Sequence, residues 1–80
     1  MNRFIIGELL DNDSRERSIE LGYAVGRMCD IVQLEIGESM VIQYPIGTWF
    51  YSDIVKEIDE TDYGVWVKTE KRTYRFDDAY

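Results

Sequence analysis

The sequence has no histidine, a single cysteine, a single proline and no apolar run near the roughly 20 residues that span a bilayer. Without histidine, Ser-His-Asp and Cys-His nucleophile devices are excluded, and so is every His-ligated metal site. With only Cys29 there is no internal disulfide and no Cys-x-x-Cys frame for zinc, so a reducing compartment is expected. At the start, Phe4, Ile5 and Ile6 after Met1-Asn2-Arg3 are too few for a signal peptide or an anchor. The expectation is a cytoplasmic protein with no membrane partner.

What is present is a folding composition. The chain of 80 residues has room for one domain, 1–80, and its 45% hydrophobic content is enough to build a core. A chain this short buries only about 60% of its unfolded surface, so stability must come from tight packing or from assembly of copies into a homo-oligomer. Sixteen acidic against nine basic side chains give a net charge of −7, which repels free nucleic acid on average. The charge is spread over both halves and interrupted by basic pairs such as Lys71-Arg72, as an ordinary solubilising surface also would be.

Alternation is clearest in the C-terminal half. Ile31 to Ile36 places Val32, Leu34 and Ile36 on one face, Gly37-Glu38-Ser39 supplies a turn, and Met40, Ile42 and Tyr44 resume the period of two. Pro45 and Gly47 end that strand, the first lacking a ladder donor and the second permitting a turn conformation. A third strand is predicted over Tyr51 to Ile58, closed by the acidic turn Asp59-Glu60-Thr61-Asp62. The segment from Tyr63 to Thr69 puts Tyr63, Val65 and Val67 on one side and Trp66 and Lys68 on the other. After Glu70-Lys71-Arg72, Tyr74 and Phe76 face inward. Five short strands in this stretch predict a small barrel.

The first thirty residues support two readings. Phe4-Ile5-Ile6 opens as a strand. Beyond Asp11-Asn12-Asp13-Ser14, which is rich in N-cap types, Leu21, Val25, Met28 and Val32 recur at helical spacing and predict a helix over Ser14–Cys29. Against it, Ile19, Leu21, Tyr23 and Val25 also alternate, and Gly22 and Gly26 each cost a helix interior roughly 1 kcal/mol. The fold class expected is α+β, mainly β: about five antiparallel strands and one N-terminal helix.

No catalytic set can be assembled. Cys29 is followed by Asp30, whose charge raises a thiol pKa, so a packed and inert cysteine is expected. With sixteen carboxylates in the chain, adjacent pairs such as Asp77-Asp78 are inevitable and read as solvated surface. Asp59, Gly64 and Glu70 have the outer spacing of an EF-hand loop, but Thr61 and Tyr63 stand where ligands belong. The expectation is a protein that is not an enzyme, with no cofactor and no metal.

Aromatics are the more informative feature. Trp49-Phe50-Tyr51 form a run at a loop or strand entry, and Trp66 lies opposite the core face of its strand. Exposed aromatics supply rigid contact area at interfaces, stack bases on small barrels, or merely cover the ends of a barrel too small to bury them.

Gly37-Glu38-Ser39-Met40-Val41-Ile42, Tyr51 to Ile58, Gly64 to Thr69 and Tyr74 together resemble small proteins of bacteriophages and mobile elements. Their pattern runs roughly Gly-x-x-Met, Thr-Ser-x-Val, a β-branched strand ending in Thr, then Asn-Ser-x-Tyr. The resemblance covers about half the chain. Tyr51 stands in place of the usual threonine and Lys71-Arg72-Thr73 in place of the Asn-Ser turn. The resemblance implies an SH3-like barrel and a phage-encoded binder, a class that includes inhibitors of host defence such as anti-CRISPR proteins. Such an inhibitor binds a host protein by placing carboxylates where phosphates would lie. The partner-binding residues expected are Glu57, Asp59, Glu60 and Asp62 with the aromatics Trp49, Tyr51 and Trp66, while Glu35 and Glu38 form a second acidic turn. Two alternatives remain: a nucleic-acid-binding or regulatory small barrel using Lys68, Lys71, Arg72 and Arg75 around Trp66, or a structural phage assembly protein.

Overall fold

The computed structural model describes residues 3–12 and 25–79. These form β1 (Arg3–Asp11), β2 (Met28–Gln33), β3 (Ser39–Gln43), β4 (Trp49–Thr61), β5 (Gly64–Thr69) and β6 (Arg72–Ala79). Each strand pairs antiparallel with the next, and β6 returns to pair with β1, closing the sheet into a barrel. Closure removes the free edges that would otherwise template aggregation.

Inward alternation builds the core. Met40 and Ile42 of β3, Val55 of β4, Val65 and Val67 of β5, and Tyr74 and Phe76 of β6 are buried, as their period of two predicts. Ile6, Leu9 and Cys29 complete the interior. Ile6 and Leu9 both point inward although they are three apart, because a bulge between Ile6 and Glu8 inserts Gly7 and shifts the phase of β1. Four rings run in series through the barrel: Phe4 edge-on to Phe76 at 6.2 Å, Phe76 stacked on Tyr74 at 5.9 Å, and Tyr74 tilted against Phe50 at 6.5 Å. Each such pair adds about 0.5–1.5 kcal/mol beyond its buried area.

Several expectations need correction. Among the described residues there is no helix: Val25 and Gly26 form a turn and Met28 already opens β2, so the helix expected over Ser14–Cys29 does not extend through its last five positions. Positions 14–24 of that expectation lie outside the described residues. The barrel has six strands instead of about five: those read beyond residue 30 correspond to β2–β6, and the strand opening at Phe4-Ile5-Ile6 runs on to Asp11 as β1 and pairs with both β2 and β6 as the sixth. The second strand also faces the other way. Cys29 is buried and Ile31 packs on the core, whereas Val32 and Ile36 are exposed and only Leu34 of the expected inward set touches the interior. A bulge between Ile31 and Gln33 leaves Val32 as the extra residue, and one slipped position moves every side chain to the opposite face. Tyr63, expected inward, is 80% exposed because it sits in the turn before β5.

Candidate functional site

The long strand β4 decides where the expected site residues go. It runs thirteen residues from Trp49 to Thr61, pairing with β3 at its start and with β5 at its end. The acidic segment read as a turn is therefore mostly ladder: Glu57, Asp59 and Glu60 pair with Lys68, Trp66 and Val65, and the turn itself is Asp62-Tyr63.

Strand parity sorts these side chains. Val65, Val67 and Thr69 of β5 are buried, so Trp66 and Lys68 face outward. Glu57 and Asp59, their ladder partners, stand beside them on the outer face. On β6, Tyr74 and Phe76 go in and Thr73, Arg75 and Asp77 come out. Two outer rows result. One is Asp59, Trp66, Arg75 and Glu8 across four strands, and the other is Glu57, Lys68, Thr73 and Leu10.

Arg75 fixes the centre of this face. Its Nε and Nη2 donate to the two carboxylate oxygens of Asp77 at 3.1 and 3.3 Å, and Nη1 lies 3.5 Å from Glu8 Oε2. Its guanidinium carbon is 5.9 Å from the centroid of the Trp66 ring, so the indole is held against a cation. Gly7 makes room for this arrangement, since a Cβ there would collide with the Asp77 carboxylate and the Arg75 guanidinium. The half-buried indole separates two shallow clefts. One, of about 280 Å³, is lined by Glu57, Asp59, Trp66, Lys68 and Thr73. The other, of about 340 Å³, adds Leu10, Asp11 and Asn12 to the same Trp66, Lys68 and Thr73. Asn12 is locked in place: its Nδ2 donates to the Thr69 carbonyl at 2.9 Å and its Oδ1 accepts from Thr73 Oγ1 at 2.5 Å.

The expected cluster is thus divided into three. Glu57, Asp59 and Trp66 are together. Glu60 lies at a barrel mouth with Thr61, Phe4, Ile31, Leu34 and Asp78, and Asp62 is in the exposed turn beside it. Trp49 and Tyr51 sit on the opposite half of β4, paired with Gln43 and Val41 and 48% and 66% exposed. Phe50 between them packs on the core, which forces both neighbours outward. Of the residues the sequence expectation left out of this acidic site, Arg75 was legible by parity, one position before buried Phe76. Glu8 was hidden by the bulge at Gly7.

Cys29 is fully buried, and that burial, with Asp30 adding to it, pushes its thiol up to about 12. The Tyr74 phenol is also pushed up to about 12 by burial, against the pull of the Arg72 guanidinium. Neither group faces an outer cleft. Among the described residues, no helix is long and apolar enough to cross a membrane. No family model, curated protein or solved structure matches the chain.

Proposed function

We propose that this chain is a non-catalytic interaction module, an SH3-like barrel of the phage-inhibitor kind, that binds a basic, nucleic-acid-binding surface of a host protein. The observation that carries this reading is the charge state of the face around Trp66. Arg75, the cation held against the indole, is already neutralised by Asp77 and Glu8. Among the described residues, no Lys or Arg lies within ion-pairing distance of Glu57 or Asp59, although Lys68 is across the ladder from Glu57. The outer cleft therefore offers two unneutralised carboxylates beside an aromatic wall. A partner arginine or lysine fits there, its stem along the indole and its charge against the carboxylates.

The same geometry weighs against a base-stacking nucleic-acid surface. Of the four cations that would build one, Arg75 is tied to carboxylates and Arg72 is partly buried beside Tyr74, which leaves Lys68 and Lys71. Two lysines on a chain of net charge −7 are too few to hold a phosphate backbone at physiological salt.

Calorimetric titration with an Arg- and Lys-rich peptide, and separately with single-stranded and duplex oligonucleotides, tests the reading. Binding of the basic peptide that weakens with salt and is weaker in Asp59→Lys is expected. Oligonucleotide binding in the absence of peptide binding overturns it.

A further inference from the structure

We infer that the outer face of β2, β3 and the first half of β4 is a self-association surface, occupied by the same face of a second copy of this chain. The face holds Trp49 and Tyr51 of β4, Val41 and Gln43 of β3, and Gln33 and Asp30 of β2, brought into two cross-strand rows by the ladders. One row is Tyr51, Val41 and Gln33. The other is Trp49, Gln43 and Asp30, and it continues to Arg3 of β1.

Charge selects the occupant. In a chain of net charge −7, the two rows carry one carboxylate among the described residues, Asp30, which is paired with Arg3 at 3.3 Å, and Asp53 farther along β4 already accepts from the Lys71 amide at 2.8 Å. A basic partner finds nothing to pair with here and is drawn to Glu57 and Asp59 instead. Two copies of the chain repel one another in every orientation that opposes their acidic faces, and least where neutral meets neutral. A two-fold interface must also be complementary to itself. The Gln33 and Gln43 amides and the Tyr51 hydroxyl can each donate and accept, while Trp49 and Tyr51, lying over buried Val41, supply apolar area that reads the same from both sides. Tyr and Trp, here exposed on the outer face of the barrel, are also residue types that dominate interface energy.

Size sets the strength. Three strands of this length cover roughly 15 by 20 Å in outline. That is less than the roughly 800 Å² per partner of a standard stable complex. The dimer is therefore weak and reversible, seen at high protein concentration. It strengthens with added salt, because the residual repulsion between two negative chains is screened. That sign is opposite to the one expected for a basic peptide at Trp66, so the two surfaces are distinguishable in one protein.

Sedimentation equilibrium over a wide concentration range, at low and high salt, tests this. The expected result is a mass rising towards two chains, more so at high salt, with Tyr51→Glu and Trp49→Glu returning it to one chain while circular dichroism stays unchanged. Concentration-dependent amide shifts should centre on Gln43, Trp49 and Tyr51, a readout that needs no variant. A single-chain mass at the highest concentration in both salts overturns the inference, as does a dimer that survives Tyr51→Glu or shifts that centre on β5 and β6.

Discussion

Asp59 and Trp66 are direct partners in the β4–β5 ladder, which sets a carboxylate beside an indole on the outer face of the barrel. The two side chains should act on different rate constants. Charges at a rim steer encounter, whereas a seated aromatic slows departure. In surface plasmon resonance with a captured basic peptide, Asp59→Lys should slow association and flatten its salt dependence. Trp66→Ala should leave association nearly unchanged and speed dissociation, at a cost of about 2 kcal/mol. Trp66 is outside the buried core, so the alanine protein should fold normally. If Trp66→Ala unfolds the domain, the indole is structural and the binding role is wrong.

Gly64 is a point of backbone contact. A Cβ at this position would run into the carbonyl oxygen of Phe76, which is main chain and cannot swing aside. Gly64→Ala must therefore push β5 away from β6 where Gly64 pairs with Asp77. Overpacking of this kind typically costs about 3 kcal/mol at its upper range. For a domain of this size that lowers the melting temperature by roughly 12–24 °C. Thermal melts of Gly64→Ala and Gly47→Ala separate the causes, because nothing lies within contact distance of a Cβ at Gly47 and only conformational strain remains there. An equal loss in both would deny the clash at Gly64.

Ser52 is one of the few buried polar side chains, and it closes the irregular stretch where β4 leaves β3. Its Oγ accepts from the Met40 amide at 2.9 Å and donates to the Asp53 carbonyl at 2.6 Å. Ser52→Ala strands a buried N–H, which costs about 1–3 kcal/mol. Thr48→Ala, at an exposed position, should change stability by less than about 0.5 kcal/mol. Chemical denaturation reads both, and a neutral Ser52→Ala would mean that water or a rearranged backbone satisfies Met40.

The sequence made the barrel legible where alternation was strict and silent where a bulge reset the phase. Val65 and Val67, Tyr74 and Phe76, and Met40 and Ile42 could each be assigned inward from neighbours two positions away. At Gly7 and Val32 the ladder inserts a residue, and parity carried across those points gives the wrong face. The site followed the same rule. Trp66 follows from regular β5, but Glu57 and Asp59 come beside it only because a further bulge between Val55 and Glu57 resets the phase of β4; parity carried from buried Val55 would have turned both inward. The separation of Trp49 and Tyr51 from them follows from the length of β4, which a sequence rich in Asp and Glu disguised as a turn. The closure of β6 on β1, which brings Glu8 to Arg75, joins residues far apart in the chain and leaves no local signal.

Alkaline pH should destabilise the domain through its two buried acids. Cys29 and Tyr74 are pushed up to about 12 from ordinary values of 9.0 and 10.0, chiefly by burial. Both lose a proton on ionising, so above the ordinary value the unfolded chain has released it while the folded chain still holds it. The unfolded state then binds fewer protons, the slope of unfolding free energy with pH is negative, and stability falls as pH rises. The contribution is fully present below about pH 9 and is lost progressively towards pH 12. Each unit of separation is worth about 1.4 kcal/mol, so Cys29 alone contributes a loss of several kcal/mol over that window. Urea midpoints measured between neutral and strongly alkaline pH should fall steeply in the native sequence. Cys29→Ala should lower stability at neutral pH through the cavity it leaves, yet fall less steeply as pH rises. A thiol reagent should label Cys29 only as fast as the barrel opens, with labelling accelerated by urea. Rapid labelling of the folded protein at neutral pH, or an unaltered alkaline slope in Cys29→Ala, would show that the thiol is not held in the interior.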